Sequence, residues 1–219
     1  METPENVSLH IMDNVKFGET LLLEHDSQII PGIGLYYILK WARARGYEVI
    51  IYDILDTLRV YRIQLELLGL DPSIVEYAKV IKEGGRFYVG NVVKRLSEVG
   101  VSVREKEYEK VEEDLARDHE NIVTIVLGLE KLFLLSQSKQ DIMALLNSIL
   151  KHSGDRRRLT IYTVNVDIVK VATPFVIPLL EEIATTVIKT KIEDFKIVLR
   201  IPKSVDRELR RKTFKIEHV

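Results

Sequence analysis

The chain has 219 residues, 46% of them hydrophobic, which suits one α/β domain over residues 1–219 with a full core. Its 32 Lys and Arg residues balance 33 Asp and Glu residues, and the net charge of −1 argues against a general attraction to nucleic acid or to an anionic membrane. Cysteine is absent, which excludes disulfides, thiol nucleophiles and cysteine metal sites.

The stretch from Leu21 to Tyr52 is predicted to organise the fold. Short apolar runs at 21–23 and 48–52 bound a strongly apolar helical segment, and this order is typical of a buried parallel strand–helix–strand unit. Pro31 suits the first turn of that helix, where its missing N–H leaves no bond unmade. Gly46 is a typical residue to end it.

Strands and helices alternate through most of the remaining chain. Helices are predicted at 57–68 (capped by Asp56 and Thr57), 104–120, 141–151 and 178–184, with a short helix or lead-in at 7–17 and a helix or turn at 92–99. Strands are predicted at 122–127, 159–166, 185–190, 195–201 and 213–216, while 74–81 fits either a strand or a short helix followed by one. Residues 191–194 are expected to join the two strands of a hairpin. The pattern predicts a three-layer α/β fold whose sheet is mainly parallel with antiparallel C-terminal edge strands.

The order of these elements resembles the core of KaiC- and RecA-type ATPases. The resemblance rests on Gly18-Glu19-Thr20 before the first strand, Gly46-Tyr47-Glu48 before the second, and a C-terminal hairpin followed by Thr213–Ile216. Within that group, residues 127–132 (LGLEKL) and 179–188 (LLEEIATTVI) resemble a family of unknown function from heat-loving archaea. The abundant Glu, Lys and Arg are typical of heat-adapted proteins. RecA-type domains commonly assemble side by side, so the resemblance also implies an oligomer.

The segment after the first strand departs from what the resemblance implies. A phosphate-binding loop needs glycines whose N–H groups reach the phosphates, a lysine, and a hydroxyl for magnesium. Ile29-Ile30-Pro31 takes that place, and the alternative register at Gly34-Leu35-Tyr36 also lacks lysine and leaves the helix too short. The strand that should end in a magnesium-orienting acid ends at Gly128. Because phosphoryl transfer depends on these charges, we predict no ATP hydrolysis and no cofactor.

A second candidate site consists of ionisable side chains that follow the first two strands of the unit. Glu24, His25 and Asp26 follow the first strand, and Asp53 and Asp56 follow the second. Ligands bind at this edge in open α/β sheets, and these residue types are competent to bind a metal or to transfer protons. The interpretation favoured by the sequence is that they cap and solvate loops.

Other polar and aromatic groups are interpreted structurally. The basic clusters at 156–158 and 207–212 are expected to balance the Glu-rich helix at 104–120, since they lack interleaved aromatics for base stacking. That helix is expected to be a solvated surface helix with one narrow apolar stripe. Tyr36, Tyr37 and Trp41 are assigned to core or interface, and the other histidines lack ligand spacing.

Two functional hypotheses follow. The favoured one is a non-catalytic RecA/KaiC-like protein without Walker A and B motifs that acts through protein–protein interaction, by self-association or as a scaffold or regulator of an active relative. The alternative is a divergent protein that binds a nucleotide or a metal with Glu24, His25, Asp26, Asp53 and Asp56. We assign no catalytic, cofactor-binding or metal residues, and nucleotides and nucleic acids are disfavoured as partners. No membrane-spanning or signal segment is predicted, so we expect a soluble, cytoplasmic protein.

Overall fold

The computed structural model describes residues 3–96, 101–117 and 119–217. The helices are α1 (Pro4–Asn14), α2 (Gly32–Ala44), α3 (Thr57–Leu67), a 3₁₀ helix (Pro72–Tyr77), α4 (Val101–Ala116), α5 (Leu129–Leu135), α6 (Lys139–Lys151), α7 (Val166–Ala172) and α8 (Val176–Ile183). The strands are β1 (Thr20–His25), β2 (Glu48–Ile54), β3 (Lys79–Glu83), β4 (Asn91–Arg95), β5 (Ile122–Leu127), β6 (Arg158–Asn165), β7 (Thr186–Glu193), β8 (Lys196–Lys203) and β9 (Thr213–Glu217).

All nine of these strands form one sheet in the order β4-β3-β2-β5-β6-β1-β7-β8-β9. Every pair from β4 to β7 is parallel, whereas β7 pairs with β8, and β8 with β9, in antiparallel fashion. The predicted fold class is therefore confirmed, including its antiparallel C-terminal edge.

Helices cover both faces of the sheet and enclose two hydrophobic cores. Side chains alternate along each strand, so in β2 Val49 and Ile51 pack toward α1, α2, α3 and the 3₁₀ helix, while Ile50 and Ile54 pack toward α4 to α8. Trp41 is buried in the first core, as its assignment to core or interface expected. In the described part of the chain, no helix is long and apolar enough to cross a membrane.

The amphipathic pattern predicted for 141–151 is present in α6. Its apolar stripe is buried against the sheet, and the stripe consists of Ile142, Leu145, Leu146 and Ile149. The helix begins with a capping box in which the Ser138 hydroxyl accepts from the Asp141 amide and the Asp141 carboxylate accepts from the Ser138 amide. The apolar stripe and the N-terminal capping box both indicate a helix here, which explains why α6 could be predicted from the sequence.

Several predictions at the level of elements were wrong. Residues 91–95 form an edge strand rather than a helix or turn, because they pair with β3, and residues 97–99 of that prediction lie outside the described residues. The helices α5 and α7 were not predicted. The hairpin turn is shorter than expected, because β7 and β8 extend to a two-residue turn at Asp194 and Phe195, both with positive φ.

Three loops at the carboxyl edge of the sheet pack directly against one another. Gly128, which follows β5, has φ +86°, and a Cβ there would overlap the Thr57 hydroxyl and lie 2.7 Å from the Ile54 carbonyl oxygen. Gly85, which follows β3, has φ +72°, and a Cβ there would overlap the Asp56 carboxylate. The loops that follow β2, β3 and β5 are therefore held in one fixed arrangement.

We expect Gly128→Ala to lower the free energy of unfolding by roughly 2–5 kcal/mol, because the methyl group adds a steric clash to a left-handed backbone. Gly46→Ala is the matched control, since Gly46 also has positive φ but no described atom lies within 4 Å of its Cβ position. The control should lose only about 1–2 kcal/mol. Urea denaturation of the two variants measures the difference, and equal losses would show that the loops are not in tight contact.

Candidate functional site

The strand order creates a crevice beside β1. The chain leaves β1 through α2 on one face and crosses to β2, whereas it leaves β6 through α7 and α8 on the other face and crosses to β7. The carboxyl ends of β1 and β6, adjacent in the sheet, therefore lie at a topological switch point. In open α/β sheets this is where ligands bind.

The loop between β1 and α2 closes this crevice with its own hydrogen bonds. Its backbone amides donate to acceptors within the protein: Ser27 to Asp167 Oδ2 (2.9 Å), Gln28 to Asp26 Oδ1 (3.0 Å), Ile29 to the Asp26 carbonyl (3.4 Å), Gly32 to Gln64 Oε1 (3.0 Å) and Ile33 to the Ile30 carbonyl (3.3 Å). Pro31 has no amide to offer. A phosphate-binding loop needs these same groups to be turned toward the ligand.

Carboxylates occupy the position at which an anion would be bound. Asp167 accepts the Ser27 amide, and this hydrogen bond lowers the pKa of its carboxyl group. The neighbouring Asn165 side chain interacts with the Ser27 hydroxyl (3.2 Å from Nδ2), which adds a second link across the crevice. Together with Asp26, these groups give the switch point a negative, internally bonded surface that repels phosphate.

The second predicted group lies at the ends of β2 and β3 and is an ion cluster. Lys82 is fully buried, with its Nζ 3.0 Å from Asp53 Oδ2 and 2.6 Å from Asp56 Oδ1. Asp53 and Lys82 are direct register partners on neighbouring strands. Lys82 pairs with both carboxylates, and it is too deeply buried to reach a ligand.

Asp56 is anchored in an unusual backbone conformation. Its φ is +61°, and its carboxylate accepts the Arg86 amide (2.7 Å) and the Phe87 amide (3.1 Å) as well as Lys82. Partial burial opposes ionisation, but the hydrogen bonds from Lys82 and the two amides prevail and lower the pKa of Asp56. The predicted cap on α3 was therefore wrong for Asp56, since Asp53 Oδ1 accepts the Leu58 amide instead (2.9 Å).

A second lysine lies at the carboxyl edge of the sheet. For the segment that follows β5, the prediction had considered only Gly128. Lys131 of α5 is half-buried and donates to the Thr57 hydroxyl (2.7 Å) and to the Leu55 carbonyl (3.0 Å). Burial lowers the pKa of Lys131. The lysine bridges the loops that follow β2 and β5.

Glu24 and His25 point to opposite faces of the sheet. Glu24 is buried toward α8, with Oε2 3.4 Å from Lys189 Nζ, while the same ammonium group lies 2.6 Å from Glu181 Oε1. Burial, with the nearby Glu181, outweighs Lys189 and raises the pKa of Glu24 to about 7. His25 faces α2, and burial lowers its pKa.

The five predicted residues do not form one site. Two strands, β5 and β6, separate β1 from β2, so Glu24, His25 and Asp26 lie roughly 14 Å from Asp53 and Asp56 at the usual spacing of about 4.8 Å per strand. Within residues 3–96, 101–117 and 119–217, no group of three or more His, Asp or Glu side chains is arranged to hold a metal ion.

The sequence reasoning missed Lys82 and Lys131. A signal for Lys82 was available, since an acid and a base stand at equivalent ends of two apolar runs, Ile50 to Asp53 and Val80 to Lys82. No comparable signal exists for Lys131, because its partners are a backbone carbonyl and a hydroxyl.

The basic cluster at 156–158 has a structural role on the α4 face. Arg158 Nη1 lies 2.6 Å from Glu112 Oε2, and both side chains are buried, so the expected balance with the Glu-rich helix is confirmed for Arg158. The expectation that charged residues of this helix are solvated was wrong for Glu112, which also accepts the Thr124 hydroxyl (3.1 Å). Arg157 pairs with Asp155 instead.

Sheet order, layers and the closed crevice define a RecA/KaiC-like domain, and comparison with solved structures supports this fold. A KaiC-like protein from Pyrococcus horikoshii OT3 superposes with a TM-score of 0.63 at 14% identity over 90% of this chain and 84% of that one. The flagellar accessory protein FlaH from Methanocaldococcus jannaschii superposes with a TM-score of 0.58 at 15% identity over 93% and 86%.

The chain belongs to the family described as Pyrococcus protein of unknown function, DUF257, whose model matches residues 10–215. A further Pyrococcus horikoshii OT3 protein, solved in a structural study, is 27% identical over 94% of this chain and 97% of that one, with a TM-score of 0.80. No curated protein matches the sequence. The resemblance to an archaeal family with a RecA-like fold is thus confirmed.

We expect Lys82→Met to lower the free energy of unfolding by about 3–5 kcal/mol, because it leaves the Asp53 and Asp56 carboxylates without their buried cation. Lys40→Met is the control, since Lys40 pairs with Glu5 at the surface and should cost less than about 1 kcal/mol. Adding Asp53→Asn to Lys82→Met should cost less than the sum of the single changes. Additive losses in urea denaturation would contradict the ion cluster.

Glu24 should make stability depend on pH. An unfolded glutamate loses its proton near pH 4.5, whereas folded Glu24 keeps it to about pH 7, so the folded state binds more protons between these values. Stability from this group is therefore complete below pH 4.5 and falls as the pH rises to about 7, by at most about 1.4 kcal/mol per pH unit. Glu24→Gln should remove this slope and be the more stable protein at pH 8.

His25 acts in the opposite sense, because its lowered pKa makes the folded state bind fewer protons below pH 6.5. Comparing wild type with Glu24→Gln cancels this contribution, since both proteins keep His25. Glu182→Gln changes an exposed glutamate of α8 and supplies the background effect of the substitution. Denaturation midpoints from pH 4.5 to 8 that run parallel in wild type and Glu24→Gln would contradict the prediction.

Proposed function

We propose that this protein is a non-hydrolysing RecA/KaiC-like domain that acts by associating with further copies of itself. The observation that carries the association is an exposed apolar surface on α5, α7 and the turn that follows α7. The closed crevice supports the absence of nucleotide chemistry, since the loop that would bind phosphate donates its amides within the chain.

The apolar surface, here called the rim patch, consists of Leu134, Leu135, Val171 and Phe175. Leu135 is 60% exposed and Val171 is 88% exposed, and each lies in the last turn of its helix. The two helices follow the adjacent parallel strands β5 and β6 and pack against each other, which brings their ends together. Clustered apolar side chains on a surface are typical of an interaction site.

A second copy of the chain is the partner that this patch fits most simply. A two-fold interface needs only one self-complementary surface, and a patch on two short neighbouring helices can pack against its own symmetry mate. Apolar surfaces of this kind require no charged partner, which agrees with a chain whose net charge is −1. Oligomerisation is also a common route to thermal stability.

The alternative of a nucleotide or metal bound at the acidic edge has less support. Asp53 and Asp56 both pair with Lys82, and Asp26 accepts hydrogen bonds from its own loop. Glu24 lies buried on the opposite face from His25. The arrangement offers no shared position at which these five groups converge on a ligand.

The experiment is analytical ultracentrifugation of wild type and Val171→Glu at micromolar concentration, with and without Mg²⁺ and ATP. Wild type should sediment as a dimer or larger, whereas Val171→Glu should be a monomer, because burying a charge in the interface is costly. Nucleotide should change neither the sedimentation nor the melting temperature. A bound nucleotide at about 100 times its Kd would stabilise the fold by about 2.7 kcal/mol.

Leu67→Glu is the matched control, since Leu67 is an exposed leucine at the end of α3 on the other face of the sheet. This variant should sediment like wild type. A monomeric wild type would overturn self-association, and a Leu67→Glu monomer beside an oligomeric Val171→Glu would overturn the rim patch. A melting temperature raised by ATP would overturn the absence of nucleotide binding.

A further inference from the structure

A cavity of about 140 Å³ lies between the α1–α2 layer and the sheet, beneath the loop that replaces the phosphate-binding loop. Most of its wall is aliphatic and comes from both helices and from β1, β7 and β8. Representative lining residues are Val7, Ile11, Leu23, Ile38, Ile188 and Leu199. We call this space the α2 cavity.

The loop itself supplies one side of the α2 cavity. Ile29, Ile30 and Pro31, which stand where the resemblance implies a Gly-Lys-Thr sequence, all line it. These three residues therefore do not only replace a phosphate-binding sequence. They also close the cavity with apolar side chains, where polar side chains would admit water.

One end of the α2 cavity carries polar groups. His25 and Thr190 are register partners on the adjacent strands β1 and β7, and both line the space. His25 Nδ1 lies 2.9 Å from the Asp26 carbonyl oxygen, and because a carbonyl only accepts, Nδ1 carries the proton in the neutral ring. Nε2 is then an acceptor. Within the described residues, neither Nε2 nor the Thr190 hydroxyl has a hydrogen-bond partner.

We propose that the α2 cavity binds a small, uncharged, largely apolar molecule that carries one hydroxyl or N–H group, with that group donating to His25 Nε2 beside Thr190. The apolar body packs against α1, α2 and the loop at 29–31. This ligand class is distinct from the nucleotides bound by the phosphate-binding form of the fold, and it is independent of the proposed self-association.

Size and polarity both favour this class of ligand. An apolar cavity of about 150 Å³ in another protein stays free of water and binds benzene. An anionic ligand would lose its hydration among aliphatic side chains and find no cation, because His25 is neutral at pH 7. Glu24 also lines the cavity, but its carboxylate is directed to Lys189 on the other face of the sheet. A ring or a short branched chain with a single donor matches both the volume and the two polar groups.

The test uses p-cresol and toluene, which have nearly the same shape and differ by one hydroxyl group. Binding to the full-length protein is measured by chemical-shift titration of its amides. Both probes should shift residues around α2 and β1, and p-cresol should bind roughly 2–12-fold more tightly, the range of one net hydrogen bond. His25→Leu should remove the preference for p-cresol and retain toluene binding.

Val7→Phe enlarges a buried side chain of α1 that lines the cavity, so it should fill the space and weaken both probes at least 10-fold. Arg43→Phe is the control, since it places a phenylalanine on the exposed side of α2 outside the cavity and should bind both probes as wild type does. Absence of binding by wild type, or unchanged binding by Val7→Phe, would overturn the cavity as a ligand site. Equal affinities for the two probes would overturn the role of His25.

Discussion

Backbone amides in a loop that follows a buried strand need acceptors, and in this protein the acceptors are the chain's own side chains. Asp26, Asp167 and Gln64 accept the amides of the β1–α2 loop, which in a phosphate-binding loop would be directed at the ligand. The same carboxylates place negative charge at the switch point. Hydrogen bonding within the protein and phosphate binding therefore compete for the same loop amides. In this chain the amides bond within the protein. The RecA/KaiC-like fold persists because its strands and helices depend on the two cores, which do not involve the ligand.

The charges at the carboxyl edge follow the same principle. Lys82 lies between Asp53 and Asp56, and Lys131 bridges the neighbouring loops, so the cations contribute to holding three loops in register rather than to holding a ligand. Removing either partner from such a buried pair leaves an uncompensated charge, which makes the arrangement hard to alter one residue at a time. It also fixes Asp56 in a left-handed conformation that an unanchored loop would abandon.

The parts of the fold that could be predicted from the sequence are those where the local pattern and the tertiary environment agree. The β5 run Ile122–Leu127 is buried on both faces, and α6 combines a cap with a regular apolar stripe. The helices α5 and α7 were missed because each has seven residues and starts directly after a strand. Such a segment is too short for its apolar residues to show a helical period that differs from that of the strand. At the candidate site, the predicted strand ends were enough to place the acidic residues at the carboxyl edge of the sheet. The partners of those acids depend on the register between neighbouring strands, as the pairing of Asp53 with Lys82 illustrates.

The loop at 29–31 connects the proposed absence of nucleotide chemistry with the proposed ligand site through one physical cause. Branched apolar side chains cannot direct amides at an anion, and the same side chains give the α2 cavity an apolar wall. Carboxylates on the solvent side of the loop repel anions, whereas His25 on the cavity side donates from Nδ1 to the Asp26 carbonyl and keeps Nε2 as an acceptor. Both sides of the loop therefore support the two proposals, in which phosphate is disfavoured and an uncharged molecule is bound. The rim patch lies on the other face of the sheet, so the proposed association and the proposed ligand binding would use separate surfaces.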